Sequence, residues 1–278
     1  MRFIKRSIYN FLDYLLKQDK NFLFVNLAKS YIDRYLYQNN TEMDKNGELY
    51  FLKCFSKVIP SGVIFDIGAN RGNWARKILE INNNYTIHCF EPSKECFEDL
   101  KIATLSYDKV FLHNIALSNQ EGEAELYNFN SESELSSLHF RKTVVESLNL
   151  GVSSSYKIKL NTVDNICKLY NIEEIYLLKI DTEGNEKNVL EGCIELLKTN
   201  KIKIIQFEYG GTWIDSRTFL VDTWQLLSSL GYKIYKIAPD GLVFYNKYNP
   251  ILENFQYSNF VAISPDISWP DNFIYKRF

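Results

Sequence analysis

The sequence predicts an α/β fold, with a mostly parallel sheet whose last strand is antiparallel and with an N-terminal helical extension. From Val63 onward, short runs rich in β-branched and aromatic residues alternate with helix-like stretches. Near-continuous apolar strands that alternate with helices are typical of a parallel sheet covered on both faces. After Gly231 the pattern becomes strand–turn–strand around Pro239-Asp240-Gly241, and a further strand follows at 259–264. An Asp-Gly turn indicates a hairpin, so we expect the sheet to finish antiparallel.

The sequence pattern divides the chain into three parts. Residues 1–60 form an N-terminal helical segment, 61–266 form one domain, and 267–278 form a C-terminal tail. Serine-rich stretches interrupt the alternation at about 119–160, and long insertions of this kind are often functional lids or disordered. The predicted strands are 63–69, 86–92, 110–117, 175–181 and 202–209. The predicted helices between them are 73–81, 93–103, 185–199 and 217–230.

The first predicted helix is amphipathic and basic. Apolar residues recur at helical spacing beside Arg2, Lys5, Arg6 and Lys17. A basic amphipathic helix can lie on a membrane surface, which would make residues 1–20 a peripheral membrane contact. We favour the alternative that the helix packs on the domain or on a second subunit, because amphipathicity is usual for any surface helix. The oligomeric state stays open.

Composition narrows the function classes. The 32 basic residues nearly balance the 34 acidic residues among 278, so the basic footprint typical of nucleic-acid binding is missing. The five cysteines form no C-x-x-C pair, and only three histidines are present. This pattern argues against a structural zinc site or a disulfide framework and predicts reduced thiols in a cytoplasmic protein. The sequence contains neither an apolar run of the ~18 residues that a membrane span needs nor a signal-peptide cleavage pattern.

Polar residues follow the first two strands of the predicted sheet, where an open parallel sheet binds its ligands. The stretch "VIFDIGANRGNW" (63–74) carries Asp66, Gly68, Asn70 and Gly72, and a helix starts at Asn73. Glycines let the backbone turn sharply and approach a ligand, and free N–H groups at a helix start attract a carboxylate. The second strand ends in Glu91-Pro92, and an acid at that position can accept hydrogen bonds from a ribose diol.

The glycine turn discriminates between two nucleoside ligands. A nicotinamide dinucleotide fold requires G-x-G-x-x-G, whereas this turn has only Gly68 and Gly72, with Asp66 inside the strand. Like-charge repulsion disfavours a pyrophosphate beside a carboxylate, whereas a cationic ligand suits that carboxylate. S-adenosylmethionine carries an adenosine, a sulfonium and an amino acid, so it fits an acidic glycine turn better than a dinucleotide does. The antiparallel finish also favours a methyltransferase over a dehydrogenase.

Six ordered motifs give the chain a specific resemblance. They are "FDIGANRG" (65–72), "FEP" (90–92), "NIALSNQEG" (114–122), "LNTVD" (160–164), "LKIDTEGNEKNVLEG" (178–192) and "IQFEY" (205–209). In this order they resemble the FkbM family of S-adenosylmethionine-dependent methyltransferases, over roughly residues 60 to 265. The resemblance implies a Rossmann-like class I methyltransferase sheet and makes S-adenosylhomocysteine the cofactor product.

The resemblance also implies roles for individual residues. The residues around the methionine part of the cofactor would be Asp66, Gly68, Asn70 and Gly72, and Glu91 would hold the ribose hydroxyls. Their neighbours Asn73 and Pro92 are further candidates for cofactor contact. The residues near the adenine would be Asn114, Ala116 and Ser118, which follow the third strand. The residues beside the transferring methyl would be Asp181, Thr182, Glu183 and Gly184, after the fourth strand.

Transfer to a hydroxyl also needs a group that takes the proton, and a positioned base typically contributes about 10²–10⁴-fold. The candidates are Asp181, Glu183 and Glu208, each at or just past the end of a central strand. Asp181 could equally bind the cofactor's ammonium, Glu183 could stabilise a helix N-terminus, and Glu208 could anchor a loop. The three carboxylates could instead collect a divalent cation, which we do not favour because no histidine is near.

The expected reaction is methylation of an oxygen on a small-molecule or glycan acceptor, with a sugar hydroxyl of a bacterial surface glycan or a glycosylated metabolite as the hypothesis. Aromatic faces stack on sugars, so Tyr209 and Trp213 are candidate substrate contacts, although burial is the equally weighted alternative. His139 in the insertion is a candidate mobile base, with a solvated surface histidine as the alternative. N-methylation and a non-catalytic cofactor-binding module remain the rival functions.

Overall fold

A computed structural model describes residues 2–18, 22–128, 137–138 and 154–277 of the chain. Its helices up to the sheet's third strand are α1 (Arg2–Gln18), α2 (Leu23–Tyr35), α3 (Met43–Asn46), α4 (Glu48–Val58), α5 (Asn73–Ile81) and α6 (Lys94–Thr104). The later helices are α7 (Val163–Tyr170), α8 (Glu186–Glu191), α9 (Ile194–Lys198), α10 (Thr212–Ser216) and α11 (Leu220–Ser229). Two 3₁₀ turns, Pro250–Leu252 and Asp271–Phe273, lie near the C-terminal end of the described chain.

The strands form a large sheet of nine strands and a small sheet of three. The large sheet contains β1 (Val63–Ile67), β2 (Thr86–Phe90), β3 (Val110–His113), β7 (Leu177–Ile180), β8 (Ile204–Tyr209), β9 (Lys233–Ala238), β10 (Gly241–Phe244), β11 (Ser258–Ile263) and β12 (Ile274–Arg277). The small sheet contains β4 (Ala116–Leu117), β5 (Gly122–Asn128) and β6 (Ser154–Asn161).

The topology confirms the predicted mostly parallel sheet with an antiparallel finish. The order is β12-β10-β9-β11-β8-β7-β1-β2-β3, and the five strands from β8 to β3 run parallel. Strand β11 inserts antiparallel between β8 and β9, and β9 pairs with β10 across the Pro239-Asp240 turn. Both faces of the large sheet are buried, because helices α4 to α6 cover one face and helices α7 to α11 cover the other.

Two predicted elements are divided in the structure. The predicted strand 110–117 ends at His113, because the Asn114 amide donates to the Glu91 and Pro92 carbonyls (2.8 and 3.1 Å) and β4 then joins the small sheet. The predicted helix 185–199 becomes α8 and α9, separated at Gly192. A Cβ on that glycine would lie 2.0 Å from the Ser118 carbonyl oxygen, so close backbone packing occupies this point.

The N-terminal segment divides into an exposed part and a core part. Helix α1 packs against α2, and large side chains on both remain exposed, including Phe11 (61%) and Tyr31 (71%). Helix α4, in contrast, buries Phe51, Leu52 and Phe55 against the sheet. No described helix combines the length and apolar character needed to cross a bilayer. Membrane contact and subunit packing both stay open as predictions for α1.

The predicted C-terminal tail and the predicted insertion both contribute strands to the fold. Residues 274–277, in the predicted tail, form edge strand β12 beside β10. Within the predicted insertion, β5 pairs antiparallel with β6, and Ser137 bridges to Tyr127. The rest of the insertion, 129–136 and 139–153, lies outside the described residues.

Gly47 provides a test of how α4 docks on the sheet. Its φ is +103°, and an added Cβ would lie 2.1 Å from the Ala238 carbonyl oxygen. We expect Gly47→Ala to lower the free energy of unfolding by about 3 kcal/mol or more, because backbone strain and a backbone clash add. Gly122→Ala is the matched control, since Gly122 also has a positive φ (+139°) but has nothing within 4 Å of an added Cβ. It should cost only about 1–2 kcal/mol in chemical denaturation, and equal losses would contradict the docking geometry.

Candidate active site

The turn after β1 is packed against the end of β7. Gly68 has φ +76°, and an added Cβ would lie 1.7 Å from the Asp181 carbonyl oxygen, so this position excludes every side chain. Asn70 also has a positive φ (+49°), which asparagine tolerates better than most residues. Its backbone N–H donates to Glu91 Oε2 at 2.8 Å. The glycine turn therefore brings the carboxyl ends of β1, β2 and β7 together.

Glu91 is the most constrained acid at these strand ends. Its two carboxyl oxygens accept from separate backbone groups, Asn70 N–H on Oε2 (2.8 Å) and Ser93 N–H on Oε1 (2.7 Å). Burial raises the pKa of Glu91 to about 7, although both hydrogen bonds oppose the shift. Each oxygen retains a further lone pair, so Glu91 is oriented to accept a pair of ligand hydroxyls.

A cavity opens above this turn, and we call it the glycine-turn cavity. The predicted site residues that line it are Gly68, Asn70, Glu91, Pro92, Ala116, Asp181, Thr182 and Glu183. Its apolar walls come from Phe90, Leu117, Leu126 and Leu138, so the small sheet closes one side. The cavity thus combines an apolar region with acids at two strand ends.

The turn after β7 is held by Glu186, which the sequence analysis did not single out. Its carboxylate accepts from the backbone N–H groups of Thr182 (2.8 Å) and Gly184 (3.1 Å). Burial raises the pKa of Glu186 to about 7. Glu183 sits in this turn with φ +55°, and its carbonyl accepts from Ser137 Oγ at 2.9 Å. The sequence feature that could have indicated this role is the position of Glu186, an acid in the first turn of a helix that starts just after a glycine.

Asp66 is buried beneath the glycine turn and does not line the glycine-turn cavity. Its Oδ1 lies 3.1 Å from Lys179 Nζ, and that ammonium lies 3.4 Å from Asp181 Oδ2 and donates to the Gly68 carbonyl at 3.2 Å. Burial opposes the Lys179 charge, but Asp66 and Asp181 outweigh it and raise the lysine's pKa. In this structure Asp66 is paired with a lysine under the turn, and its contact with the cofactor stays a prediction. The sequence feature that could have indicated this pair is a lysine in an otherwise apolar strand, because a buried lysine needs an acidic partner.

Four other predicted cofactor residues lie outside the walls of this cavity. Gly72 precedes the first residue of α5, where an added Cβ would lie 2.8 Å from a Leu100 side-chain carbon, and the Asn114 amide donates to the backbone of the Glu91 turn. Ser118 is buried, and its N–H donates to the Asn161 carbonyl at 2.8 Å. Asn73 is exposed at the start of α5 and lines a neighbouring cavity. Contact between these four residues and the cofactor stays a prediction.

The two aromatic substrate candidates belong to the core. Tyr209 and Trp213 are each 1% exposed and pack edge to face, with ring centroids 5.1 Å apart. The Tyr209 hydroxyl donates to Glu253 at 2.9 Å and accepts from the Phe255 N–H at 2.8 Å. The expectation of a stacking contact with the acceptor is therefore corrected, because both side chains are buried in the core and leave no ring face exposed to an acceptor. His139 lies outside the described residues.

A second cavity lies beside the end of β8, and we call it the Glu208 cavity. It is lined by Glu48, Asn73, Trp74, Lys179, Asp181, Glu208 and Tyr257, together with residues 41–44. Asp181 lines both cavities. Burial raises the pKa of Glu208 well above its ordinary value, and the charges of Asp181 and Glu183 raise it further. Among the described residues, no group of three or more His, Cys, Asp or Glu side chains is arranged to hold a metal ion.

The Asp66–Lys179 pair predicts a specific pattern of stabilities. Lys179→Met removes the cation and leaves a buried carboxylate, so we expect the free energy of unfolding to fall by about 3–5 kcal/mol. The double variant Asp66→Asn/Lys179→Met removes that uncompensated charge and should recover most of the loss. Chemical denaturation of the parent, both single variants and the double variant measures the coupling. Additive losses would contradict a direct pair.

Comparisons with known proteins identify a family, a relative and similar solved structures. The profile described as "Methyltransferase FkbM domain" matches residues 66–234. A relative, "2-O-methyltransferase NoeI" of Sinorhizobium fredii (strain NBRC 101917 / NGR234), is 24% identical over 158 residues, which cover 54% of this chain and 64% of that protein. Similar solved structures include the METTL16 MTase domain (9% identity, 78% of this chain, 68% of that chain, TM-score 0.45).

A second solved structure with a comparable likeness is the precorrin-6y C5,15-methyltransferase of Geobacter metallireducens GS-15. It is 10% identical, with 82% of this chain and 94% of that chain covered and a TM-score of 0.42. The family is carried by the profile, since its match spans more than half of the chain and includes the glycine turn, Glu91 and the turn after β7. The chain belongs to the FkbM methyltransferase family.

Proposed function

We propose that this methyltransferase uses S-adenosylmethionine and methylates an oxygen, with a sugar hydroxyl of a bacterial surface glycan or a glycosylated metabolite as acceptor. The proposal that S-adenosylmethionine is the cofactor depends mainly on Glu91. Its two carboxyl oxygens accept from two backbone N–H groups at the wall of the glycine-turn cavity. The oxygen acceptor is suggested by the relative's name, "2-O-methyltransferase NoeI". Its match covers 64% of that protein, so the acceptor stays a proposal.

The residues of the glycine-turn cavity fit S-adenosylmethionine by chemistry. Glu91 offers lone pairs to the ribose diol, and the apolar walls at Phe90 and Leu117 suit the adenine. Asp181 supplies a carboxylate for the ammonium at the end of β7. At Gly68 the turn leaves no room for a side chain, because the Asp181 carbonyl approaches so closely. A dinucleotide fits less well, since its pyrophosphate would face these acids.

Methyl transfer asks three things of this chain. The cofactor supplies a methyl group that is already activated by its sulfonium. The protein orients the acceptor, and such positioning is worth up to about 7–11 kcal/mol. The protein also takes the hydroxyl proton at a carboxylate, which is most effective when its pKa lies near the working pH, because it is then a stronger base and still partly ionised.

Glu208 is the carboxylate best suited to accept the proton. It lines the cavity next to the one with Glu91, and burial and neighbouring acids raise its pKa. Asp181 lines both cavities, and its position at the end of β7 beside the glycine turn favours a role in holding the cofactor's ammonium. Glu183 remains the third candidate, at the wall of the glycine-turn cavity.

Two further features bear on the setting of the reaction. All five cysteines are free and buried, which supports a reducing, cytoplasmic compartment. The carboxylates of the Glu208 cavity would also suit an amine, so N-methylation is the second candidate. The ¹³C chemical shift of a methyl group transferred from labelled cofactor distinguishes an O-methyl from an N-methyl product.

Glu91 predicts a pH-dependent cofactor affinity. The carboxylate has a pKa of about 7, and its proton below that pH occupies a lone pair that a ribose hydroxyl would use. S-adenosylhomocysteine should therefore bind about tenfold or more tightly at pH 7.5 than at pH 5.5. Glu91→Gln should weaken binding about 10–100-fold at pH 7.5 and flatten the profile. Titration calorimetry measures both effects.

The matched control for that titration is Glu98→Gln, because Glu98 is an exposed acid of α6 paired with Lys101 at 2.7 Å. It should bind as the parent does. A flat pH profile for the parent would remove Glu91 from the ribose site. Tight binding of NAD without any response to S-adenosylhomocysteine would refute the proposed cofactor.

Glu208 and Asp181 predict different kinetic defects. Glu208→Gln should leave S-adenosylhomocysteine affinity within about threefold and lower turnover about 10²–10⁴-fold, because only proton transfer is lost. Asp181→Asn should mainly weaken cofactor binding. Initial rates of label transfer to a methyl glycoside that serves as acceptor, with calorimetry on the same samples, separate the two. If both variants bind and turn over as the parent does, neither residue is the base.

A further inference from the structure

The segment at residues 41–48 forms one wall of the Glu208 cavity, although it lies outside the matched family domain (66–234). Residues 41–44 and Glu48 face the cavity from this side, while Trp74, Lys179 and Glu208 come from the matched domain. The cavity is therefore completed by a part of the chain that the family motifs do not include.

Glu48 is built into this wall. It is 7% exposed, and its Oε1 accepts from Gln206 Nε2 at 2.7 Å while its Oε2 accepts from Asn46 Nδ2 at 2.9 Å. Gly47 docks against the Ala238 carbonyl and fixes the start of α4. Two amide donors thus hold the carboxylate in one orientation, with lone pairs left for a hydroxyl donor.

The two cavities are joined through Asp181, which lines both. Beside it, Lys179 Nζ lies 5.8 Å from the centroid of the Trp74 ring. The Trp74 indole N–H is buried and has no hydrogen-bond acceptor among the described residues.

We propose that the Glu208 cavity is the acceptor site and that the 41–48 segment selects, through Glu48, an uncharged acceptor rich in hydroxyl groups. This inference rests on the proposed function and extends it to a substrate class. The acceptor would lie on one side of Asp181 and the methyl donor on the other. Glu48 would bind a hydroxyl of the acceptor, while Glu208 accepts the proton from the hydroxyl that is methylated.

The charges of the cavity argue against an anionic acceptor. Glu48, Asp181 and Glu208 line the cavity together with Lys179, whose ammonium is already paired with Asp66 and Asp181. A phosphate or carboxylate on the acceptor would face these acids, and no unpaired buried cation lines the cavity among the described residues. The other cations at this cavity, Arg76 and Lys77, stand on the outer surface of α5, and Lys77 lies 3.4 Å from Glu80.

Saturation-transfer NMR tests the acceptor site on the full chain loaded with S-adenosylhomocysteine. The probes are methyl glycosides of glucose, galactose and their 6-deoxy forms, with methyl glucuronide and glucose 6-phosphate as anionic counterparts and methyl glucosaminide as the amine. We expect signals from neutral glycosides alone. Glu48→Gln should weaken their binding about tenfold, while Glu98→Gln should not change it.

A second variant keeps the test independent of folding around Glu48. Thr41 is exposed and lines the cavity, so Thr41→Trp should fill the cavity without disturbing the core. It should abolish glycoside binding and leave S-adenosylhomocysteine affinity within about threefold of the parent.

The outcomes separate the two proposals. If the parent does not bind S-adenosylhomocysteine, the proposed function fails and the acceptor assignment fails with it. If that ligand binds but neutral glycosides do not, or if they bind Glu48→Gln and Thr41→Trp as tightly as the parent, the acceptor site is overturned. Equal or preferential binding of the anionic or amine probes overturns the substrate class.

Discussion

The structure depends on one buried ammonium. Lys179 stands inside an apolar strand in the middle of the large sheet, where an unpaired charge would be costly. Its contacts with Asp66, Asp181 and the Gly68 carbonyl join the ends of β1 and β7. Because the carboxylates outweigh burial, the pKa of Lys179 stays above its ordinary value and the lysine remains charged. That charge holds the glycine turn and the turn after β7 at one edge, where both cavities open.

The acids around this lysine differ in what satisfies them. Glu91 and Glu186 are buried and accept from backbone N–H groups, which fixes their orientation and makes them structural supports or hydroxyl acceptors. Glu48 is held by two side-chain amides. Glu208 is raised in pKa by burial and by its acidic neighbours. Identical side chains therefore divide into binding and proton-accepting candidates through their surroundings alone.

Much of the fold and part of the site could be predicted from local pattern. Glycines, apolar runs and strand-end acids are visible in the sequence, so Gly68, Glu91 and Asp181 were placed at the cavity edge. Asp66 was expected beside the ligand, and the structure pairs it with Lys179, which lies 113 positions away in sequence on the neighbouring strand. Tyr209 and Trp213 follow a strand end as a binding loop would, yet the chain folds back and buries both. The residues around a position in the sequence do not show which side chains from distant parts of the chain will pack against it.

The sequence by itself determined the strand–helix alternation, the antiparallel finish and the family motifs, because these depend on residue type and on spacing along the chain. Only the tertiary structure decided which residues share a cavity. Strand order brings β1, β2, β7 and β8 to one edge, and the docking of α4 adds Glu48 from outside the matched domain. The physical reason is that cavities, ion pairs and pKa shifts arise from distances in space, and those are set by packing between elements far apart in the chain.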